Sequence, residues 1–251
     1  MNEVDIILPT YNCESYIDET ITSVIHQSFT NWKLKIVDDG SEDNTIKIIQ
    51  KFLNDERVEL KKLNKNKGAG FCRNIGLRYS DSKYIAFIDS DDIWSKNKLK
   101  KQIEFMNFLN LDFTYTDYTA FKKENGLMKY KKKIILPEKF TYNSFIKKTS
   151  ICTSSIMIRR NKIGLTKFIN TKICEDYFFK CKMLKICVNA RNLGENKTFY
   201  RISKNSLQSK KFRNLYWVWH INKKYNKMNF INNLVSVFSI SINSLKNYGF
   251  K

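Results

Sequence analysis

The sequence predicts an α/β fold, a mostly parallel sheet flanked by helices and followed by a helical C-terminal tail. Three observations carry this. Short apolar runs alternate along the chain with stretches whose apolar residues recur at helical spacing. The runs themselves are nearly continuous Val, Ile and Leu, as a strand covered on both faces requires. Polar and acidic residues gather just after the runs, at the strand ends where ligands sit in sheets of this kind.

The first run, Val4 to Leu8, is broken only by Asp5, and Pro9 removes a backbone donor, so a strand ending at Leu8 is expected. The loop Pro9-Thr10-Tyr11-Asn12 follows, and Ile17, Ile21, Val24 and Ile25 then mark a helix with Asn12 or Ser15 as its cap. Leu34 to Val37 reads as the second strand, ending in Asp38-Asp39-Gly40-Ser41 before an amphipathic helix through Ile46, Ile49, Phe52 and Leu53. Val58 to Leu63 alternates as a third strand. After it Gly68 and Gly70 open a helix whose N-terminus suits an anion and whose glycines permit close approach to a ligand. Tyr84 to Ile88 is the fourth strand, and it runs directly into Asp89-Ser90-Asp91-Asp92.

A helix is expected from Trp94 to about Leu109, then strands at Phe113 to Tyr115, Thr153 to Ile158 and Lys197 to Ile202. Glu124-Asn125-Gly126 marks a turn in a basic hairpin or loop, and Cys174-Glu175-Asp176 opens a helix in which acids suit the dipole. A polar loop, Ser203 to Ser209, precedes the tail. There Tyr216, Trp217, Trp219, Phe230 and Phe238 mix with Lys210, Lys211, Arg213, Lys223, Lys224, Lys227 and Lys246, a pattern of helices lying on anionic lipid or packing on the core. Val235 to Ile242 fits both helical and alternating templates.

At 251 residues and 42% hydrophobic, the chain suits one sizeable core with an appendage. The division expected is a catalytic part over 1–209, with halves 1–115 and 116–209, and a basic aromatic tail over 210–251. A net charge of +21 calls for a polyanionic partner, whether nucleic acid, an anionic membrane or phosphorylated substrates, although an AT-rich coding sequence accounts for part of it. Six cysteines without a CxxC pair and two histidines give zinc little support, and the thiols are expected to be reduced. Glu3 and Asp5 are the wrong chemistry for a signal peptide, and no apolar run approaches the roughly 20 residues that span a bilayer. A cytoplasmic protein is expected, with a peripheral seat on the inner face of the cell membrane.

Three carboxylates within four residues at the end of a buried strand repel one another, so a cation is expected among Asp89, Asp91 and Asp92. A divalent metal holding a diphosphate fits this best.

In this order, Leu8-Pro9-Thr10-Tyr11-Asn12, Val37-Asp38-Asp39-Gly40-Ser41, the stretch Gly68 to Leu77, Asp89-Ser90-Asp91-Asp92, Glu175-Asp176 and Tyr200-Arg201 resemble the family 2 glycosyltransferases of the GT-A fold, a Rossmann-like architecture. The match runs from about Val4 to Ser209. The resemblance implies an inverting transfer of a sugar from a nucleotide-sugar donor, a UDP-sugar first among them. The acceptor would be a hydroxyl of a glycan or lipid-linked saccharide, in the synthesis of bacterial surface polysaccharides such as O-antigen or capsule. It implies that Asp39 reads the base, that Pro9, Thr10 and Tyr11 line base and ribose, and that Asp89 and Ser90 border the donor. Asp91 would be the ligand of a Mn²⁺ or Mg²⁺ ion and Asp92 its support. Arg73 would add a cation near the donor, with a structural ion pair as the other reading. Asp176 would be the catalytic base and Glu175 a neighbour that shapes the site. Ser203 stands where relatives often carry histidine, so Arg201 and Lys204 are expected to meet the diphosphate instead.

Two rivals differ in class. A nucleotidyltransferase would carry a Gly-rich basic loop after the first strand, where this chain has Pro9 to Asn12 without glycine. A nucleic-acid-binding protein would interleave cations and aromatics on a recognisable platform, whereas this chain puts acids at its strand ends, so no nucleic-acid partner is expected.

Overall fold

The computed structural model describes residues 2–124, 126–187, 189–202 and 211–248. Four parallel strands form its first half: β1 (Val4–Thr10), β2 (Trp32–Asp38), β3 (Val58–Lys62) and β4 (Tyr84–Phe87), in the spatial order β3-β2-β1-β4. The connections are α1 (Ile17–Ile25), α2 (Thr45–Gln50) and α3 (Ala69–Arg78). Beyond β4 the sheet becomes mixed. The short β5 (Ile93–Trp94) and the helix α4 (Lys98–Phe108) lead to the long β6 (Phe113–Glu124), which turns into β7 (Leu127–Ile134) with Glu124 opposite Leu127. After α5 (Tyr142–Lys148), β8 (Met157–Arg159) wedges antiparallel between β4 and β6. It is followed by α6 (Arg160–Ile163), α7 (Glu175–Ile186) and β9 (Ala190–Arg201), which lies parallel to β6 and carries β5 on its far edge. The sequence-derived fold class holds: a mixed α/β sheet of the GT-A kind, flanked by helices, with a helical C-terminal region.

The two-residue period of β1 divides the interior. Val4, Ile6 and Leu8 face a core shared with Ile17 and Ile21 of α1, Ile49 of α2 and Leu99 of α4. Ile7 faces a second core with Phe87, Phe113 and Phe179. Asp5, on that same face, is fully buried; its Oδ2 accepts the backbone N–H groups of Asp81 and Ser82 (3.0 and 3.2 Å), and Lys35 Nζ lies 3.9 Å from its Oδ1. The tail helices α8 (Lys211–Lys224) and α9 (Phe230–Tyr248) join the second core through Val218, Ile221 and Ile240. At about 1.5–3 kcal/mol per buried apolar side chain, these three contacts hold the tail against the body of the protein.

Several boundaries depart from expectation for identifiable reasons. β1 continues through Pro9 to Thr10 because alternate residues of a parallel strand address opposite neighbours. Ile7 accepts from Ile88 on the β4 side while Thr10 accepts from Asp39 on the β2 side, so the N–H that Pro9 lacks belongs to the β4 side, where β4 has already ended. Asn12 is no helix cap. It adopts φ 43°, and its side chain accepts from Glu42 N (2.9 Å), tying the first loop to the second, while Tyr16 precedes α1 without a side-chain cap. Trp94 lies in β5, opposite Thr198, with its indole N–H donated to Ser154 O (2.7 Å), so α4 starts four residues later. The strand expected from Thr153 begins as a 3₁₀ turn, Thr153–Ser155, and Met157–Arg159 alone pairs. The ambiguous Val235 to Ile242 is helical within α9. The expected loop from Ser203 to Ser209, with Lys204, lies outside the described residues.

Candidate active site

The acidic turn after β4 is built by its neighbours. Asp92 is fully buried; its Oδ1 accepts Arg201 N (3.0 Å) and its Oδ2 accepts Ser154 Oγ (2.5 Å). Burial, and then the charges of Asp91 and Asp89, push its carboxyl well above the usual range, so Asp92 fastens the turn rather than reaching a ligand. Arg201 Nε donates to the backbone O of Asp91 (2.8 Å) and its NH2 to Glu19 Oε2 (2.6 Å), while its guanidinium lies 4.5 Å from the centre of the Phe121 ring. Arg201 is therefore a buried strut under the turn. Ser90 is held through its carbonyl, which accepts Thr20 Oγ1 (3.0 Å). The Asp91 carboxylate, by contrast, takes no hydrogen bond from another described residue. Burial and the neighbouring Asp89 push it up to about 6, which is the condition a cation would relieve.

Beside this turn, the ends of β1 and β2 are joined. Thr10 Oγ1 donates to Asp38 Oδ1 (2.9 Å), and Asp38 also accepts Ser41 Oγ and the backbone N–H groups of Gly40 and Ser41. Asp39 points the other way. Its two oxygens accept Lys67 N (2.8 Å) and Gly68 N (2.7 Å), so a buried carboxylate clamps the entry of α3. Gly68 stands at φ 92°, a conformation that glycine permits. Pro9 and Thr10 are buried behind this loop and Tyr11 is exposed in front of it.

Arg73 of α3 connects the two halves. It is buried, with NH2 on Asp89 Oδ1 (2.6 Å) and NH1 on Glu175 Oε1 (2.8 Å), and the two carboxylates hold it charged. Gly70 lets this happen. A Cβ there would lie 2.8 Å from Glu175 Cγ and 3.1 Å from Ile169 O, so the close approach that the glycine permits is to the start of α7 rather than to a ligand. The next residue, Asp176, is partly exposed. Its Oδ2 accepts Lys180 Nζ (2.7 Å) and Thr153 Oγ1 (2.8 Å), and no described residue donates to Oδ1. Burial raises its pKa, but Lys180 first and then Arg73 outweigh it and hold the carboxyl well below the usual range. Lys180 Nζ also donates to Ile151 O (2.9 Å), which fixes the cation that holds Asp176.

The structure thus brings Asp89, Arg73, Glu175 and Asp176 into one connected cluster, with Asp91 and Ser90 on the same turn. Thr10 ends β1 and Asp39 opens the adjoining loop after β2, while Arg201 holds the backbone of the turn. Lys180, Thr153, Ser154 and Glu19 were not singled out from sequence. Lys180 had a signal, the four-residue spacing from Asp176 on a helix; the other three act through contacts between distant segments. Among the described residues no three His, Cys, Asp or Glu side chains gather into a metal cage. One open carboxylate, Asp91, beside a second fits an ion that takes its other oxygens from phosphate or water, as Mg²⁺ does.

Residues 5–164 match the sequence model of Glycosyl transferase family 2. The chain is 34% identical over 229 residues to TuaG of Bacillus subtilis, a protein named for teichuronic acid biosynthesis, covering 91% of this chain and 90% of that one. It is 36% identical over 220 residues to WfgD of Escherichia coli, named as a UDP-Glc:alpha-D-GlcNAc-diphosphoundecaprenol beta-1,3-glucosyltransferase, covering 87% and 84%. In fold it is similar to Staphylococcus aureus TarS 1–349 in complex with UDP-GlcNAc, with a TM-score of 0.75 at 20% identity over 97% of this chain and 73% of that one.

Proposed function

Because this chain belongs to glycosyl transferase family 2, we propose that it moves a sugar from a UDP-sugar to a hydroxyl of a lipid-linked saccharide in bacterial surface polysaccharide synthesis, inverting the anomeric carbon. It is an enzyme that transfers a sugar from a nucleotide-diphosphate sugar to a glycan or lipid acceptor. The observation that carries the finer reading is the Arg73 bridge, which ties the acidic turn of a donor site to the helix start that bears an unprotonated Asp176.

In this reading Asp176 Oδ1 accepts the proton of the acceptor hydroxyl as its oxygen attacks, while Thr153 and Lys180 hold Oδ2 and fix the carboxylate's direction. A base held well below the usual range is a weak one. It suits a hydroxyl that loses its proton late, once bonding to the anomeric carbon has made it acidic, and positioning supplies much of the rate. Asp91, beside Asp89, would hold Mn²⁺ or Mg²⁺, which when bound neutralises charge on the departing diphosphate. Asp39 shapes the base pocket through Lys67 and Gly68 and reads the uracil imide with its remaining lone pairs. Pro9, Thr10 and Tyr11 border base and ribose, and Ser90 borders the donor. Arg73 and Arg201 serve the donor by holding Asp89 and the Asp91 backbone.

We assign the donor to the half formed by 1–115, the acceptor to 116–209, and docking to 210–251. No helix of the described residues is long and apolar enough to cross a membrane. On α9, Phe230, Ile231, Leu234, Val235 and Phe238 form an exposed stripe, with Ile231 71% and Phe238 66% exposed, and 210–251 contains no Asp or Glu. This face suits the anionic inner surface of the cell membrane and a cytoplasmic seat. Sedimentation with anionic liposomes tests the seat, and Ile231→Glu with Phe238→Glu should release the protein. Calorimetric titration of UDP, GDP and dTDP with and without Mn²⁺ tests the activity. UDP should bind most tightly and only with the metal, and failure of every nucleotide to bind would end this reading.

A further inference from the structure

The first turn of α7 carries Asp176 and has no cap of its own. Cys174 precedes it in the left-handed conformation, at φ 63°, and gives no side-chain capping bond. Side chains from elsewhere hold the turn instead, and three consecutive residues each reach a different part of the chain. Glu175 meets Arg73 of α3, Asp176 meets Thr153 of the 3₁₀ turn, and Tyr177 donates its hydroxyl to Asn222 Oδ1 of α8 (2.8 Å). Burial pushes the Tyr177 phenol well above its usual range, so it stays a donor. Its ring stacks on Phe145 of α5, with centres 5.8 Å apart and planes at 28°.

Asn222 is fully buried and uses every hydrogen-bonding position of its amide. Oδ1 accepts Tyr177 Oη and Asn226 Nδ2 (3.0 Å), and Nδ2 donates to Asn233 Oδ1 and Ser236 Oγ of α9 (3.1 Å each). The network ends on the backbone of two helices: Asn233 Nδ2 donates to Trp219 O of α8 (3.0 Å) and Ser236 Oγ to Ile146 O of α5 (2.6 Å). Asn233 and Ser236 are as deeply buried as Asn222. Holding two tail helices on the body needs only apolar contacts such as those of Val218, Ile221 and Ile240, whereas an amide taken out of water costs free energy until each of its bonds is made. What the amides add is direction. Apolar contacts tolerate sliding and roll, while hydrogen bonds fix distance and angle, as a buried asparagine does for helix register. That fixed geometry ends on the residue next to Asp176.

We propose that Tyr177 and Asn222 are positioning residues for Asp176, through which α8 and α9 set the angle of the first turn of α7 and hence the aim of Asp176 Oδ1. The proposal rests on the glycosyltransferase reading and makes the tail a part of the catalytic apparatus as well as a docking element. Two measurements on the full chain test it. The first needs no turnover: urea unfolding gives the stability cost of Asp176→Asn in the parent, in Tyr177→Phe and in Ile240→Val, an apolar trimming of the same tail. If Tyr177 seats Asp176 on Thr153 and Lys180, that cost should fall by about half in Tyr177→Phe and stay unchanged in Ile240→Val. The second follows single-turnover release of UDP from UDP-glucose with Mn²⁺, water standing in for the acceptor. Tyr177→Phe and Asn222→Leu should each slow it by about 10–100-fold, the double variant should be no slower than the slower of the two, and UDP affinity should stay within about twofold. Ile240→Val should keep the parental rate. Equal costs of Asp176→Asn in all three backgrounds would overturn the proposal, and so would Tyr177→Phe at the parental rate or rate losses that multiply in the double variant. Should water prove too poor an acceptor for the parent protein, the unfolding cycle alone decides. If UDP fails to bind the parent protein, the glycosyltransferase reading fails, and the catalytic role given to Asn222 falls with it. Tyr177→Phe keeps its ring on Phe145 and removes one oxygen, so the test stands even if Asn222→Leu, which strands Asn233 and Ser236, does not fold.

Discussion

Replacing Arg73 with methionine keeps a long apolar stem in α3 and deletes the charge between Asp89 and Glu175. The guanidinium is 5% exposed and reaches Asp89 at 2.6 Å and Glu175 at 2.8 Å, with those carboxylates 30% and 15% exposed. Breaking a buried pair costs about 3–5 kcal/mol, because the abandoned partner keeps its burial and loses its compensation. The Glu175 leg should carry most of that. Asp89 is nearly a third exposed, so solvent screens its leg. The sign of the pH dependence follows from Glu175, whose pKa is raised by burial despite Arg73 and is raised further by Asp176. Without Arg73 it rises more. A carboxyl raised in the folded state destabilises at pH above its folded pKa and costs nothing below its unfolded value of about 4.3. Urea unfolding should therefore show Arg73→Met weaker by about 3–5 kcal/mol at pH 7, with the deficit narrowing toward pH 5. Adding Glu175→Gln should restore roughly half of the loss. A deficit under about 1 kcal/mol at pH 7, or one that widens as pH falls, would refute the bridge as the tie between the two halves.

Other substitutions test separate parts of the site. Asp91→Asn should stabilise the metal-free protein by about 1–3 kcal/mol at pH 7, because a carboxyl pushed up to about 6 is held ionised against its preference. That gain should vanish below about pH 4, while Mn²⁺-dependent UDP binding, read by calorimetry, is lost. Lys180→Met should raise the pKa of Asp176 toward the ordinary range, so the acid limb of the transfer-rate profile moves up in pH while its alkaline limb stays. Gly70→Ala should cost about 1–3 kcal/mol in thermal or urea unfolding, since its Cβ would press on Glu175 Cγ at 2.8 Å. It should lower transfer more than UDP binding, because the displaced helix start carries Asp176.

The parallel half of the sheet was legible because both of its signals are local: apolar runs of strand length and helical spacing between them. The mixed half was harder. Trp94 reads as helical from its neighbours, yet its indole is claimed by Ser154, some sixty residues along the chain. Thr153-Ser154-Ser155 reads as strand and folds as a 3₁₀ turn whose hydroxyls serve Asp176 and Asp92. At the site, residue identity was legible and the division of labour was not. Asp38 and Asp39 are adjacent acids, but one closes its own turn with Thr10 and Ser41 while the other clamps the entry of α3. Gly70 announced a close approach without saying to what. Arg73 could be read as a donor contact or as an ion-pair partner, and the 102 residues separating it from Glu175 hid the pairing from any local pattern.

The central claim is that Asp176 accepts the acceptor's proton while the donor is held elsewhere, on Asp91 and the loops around Asp39. Asp176→Asn tests it most directly. The amide is nearly isosteric and can still accept from Thr153, so UDP affinity with Mn²⁺ should remain within about twofold of the parent, while the single-turnover transfer rate falls by about 10²–10⁴. Transfer at the parental rate in Asp176→Asn would contradict the account, and so would a fall in UDP affinity that matches the fall in rate.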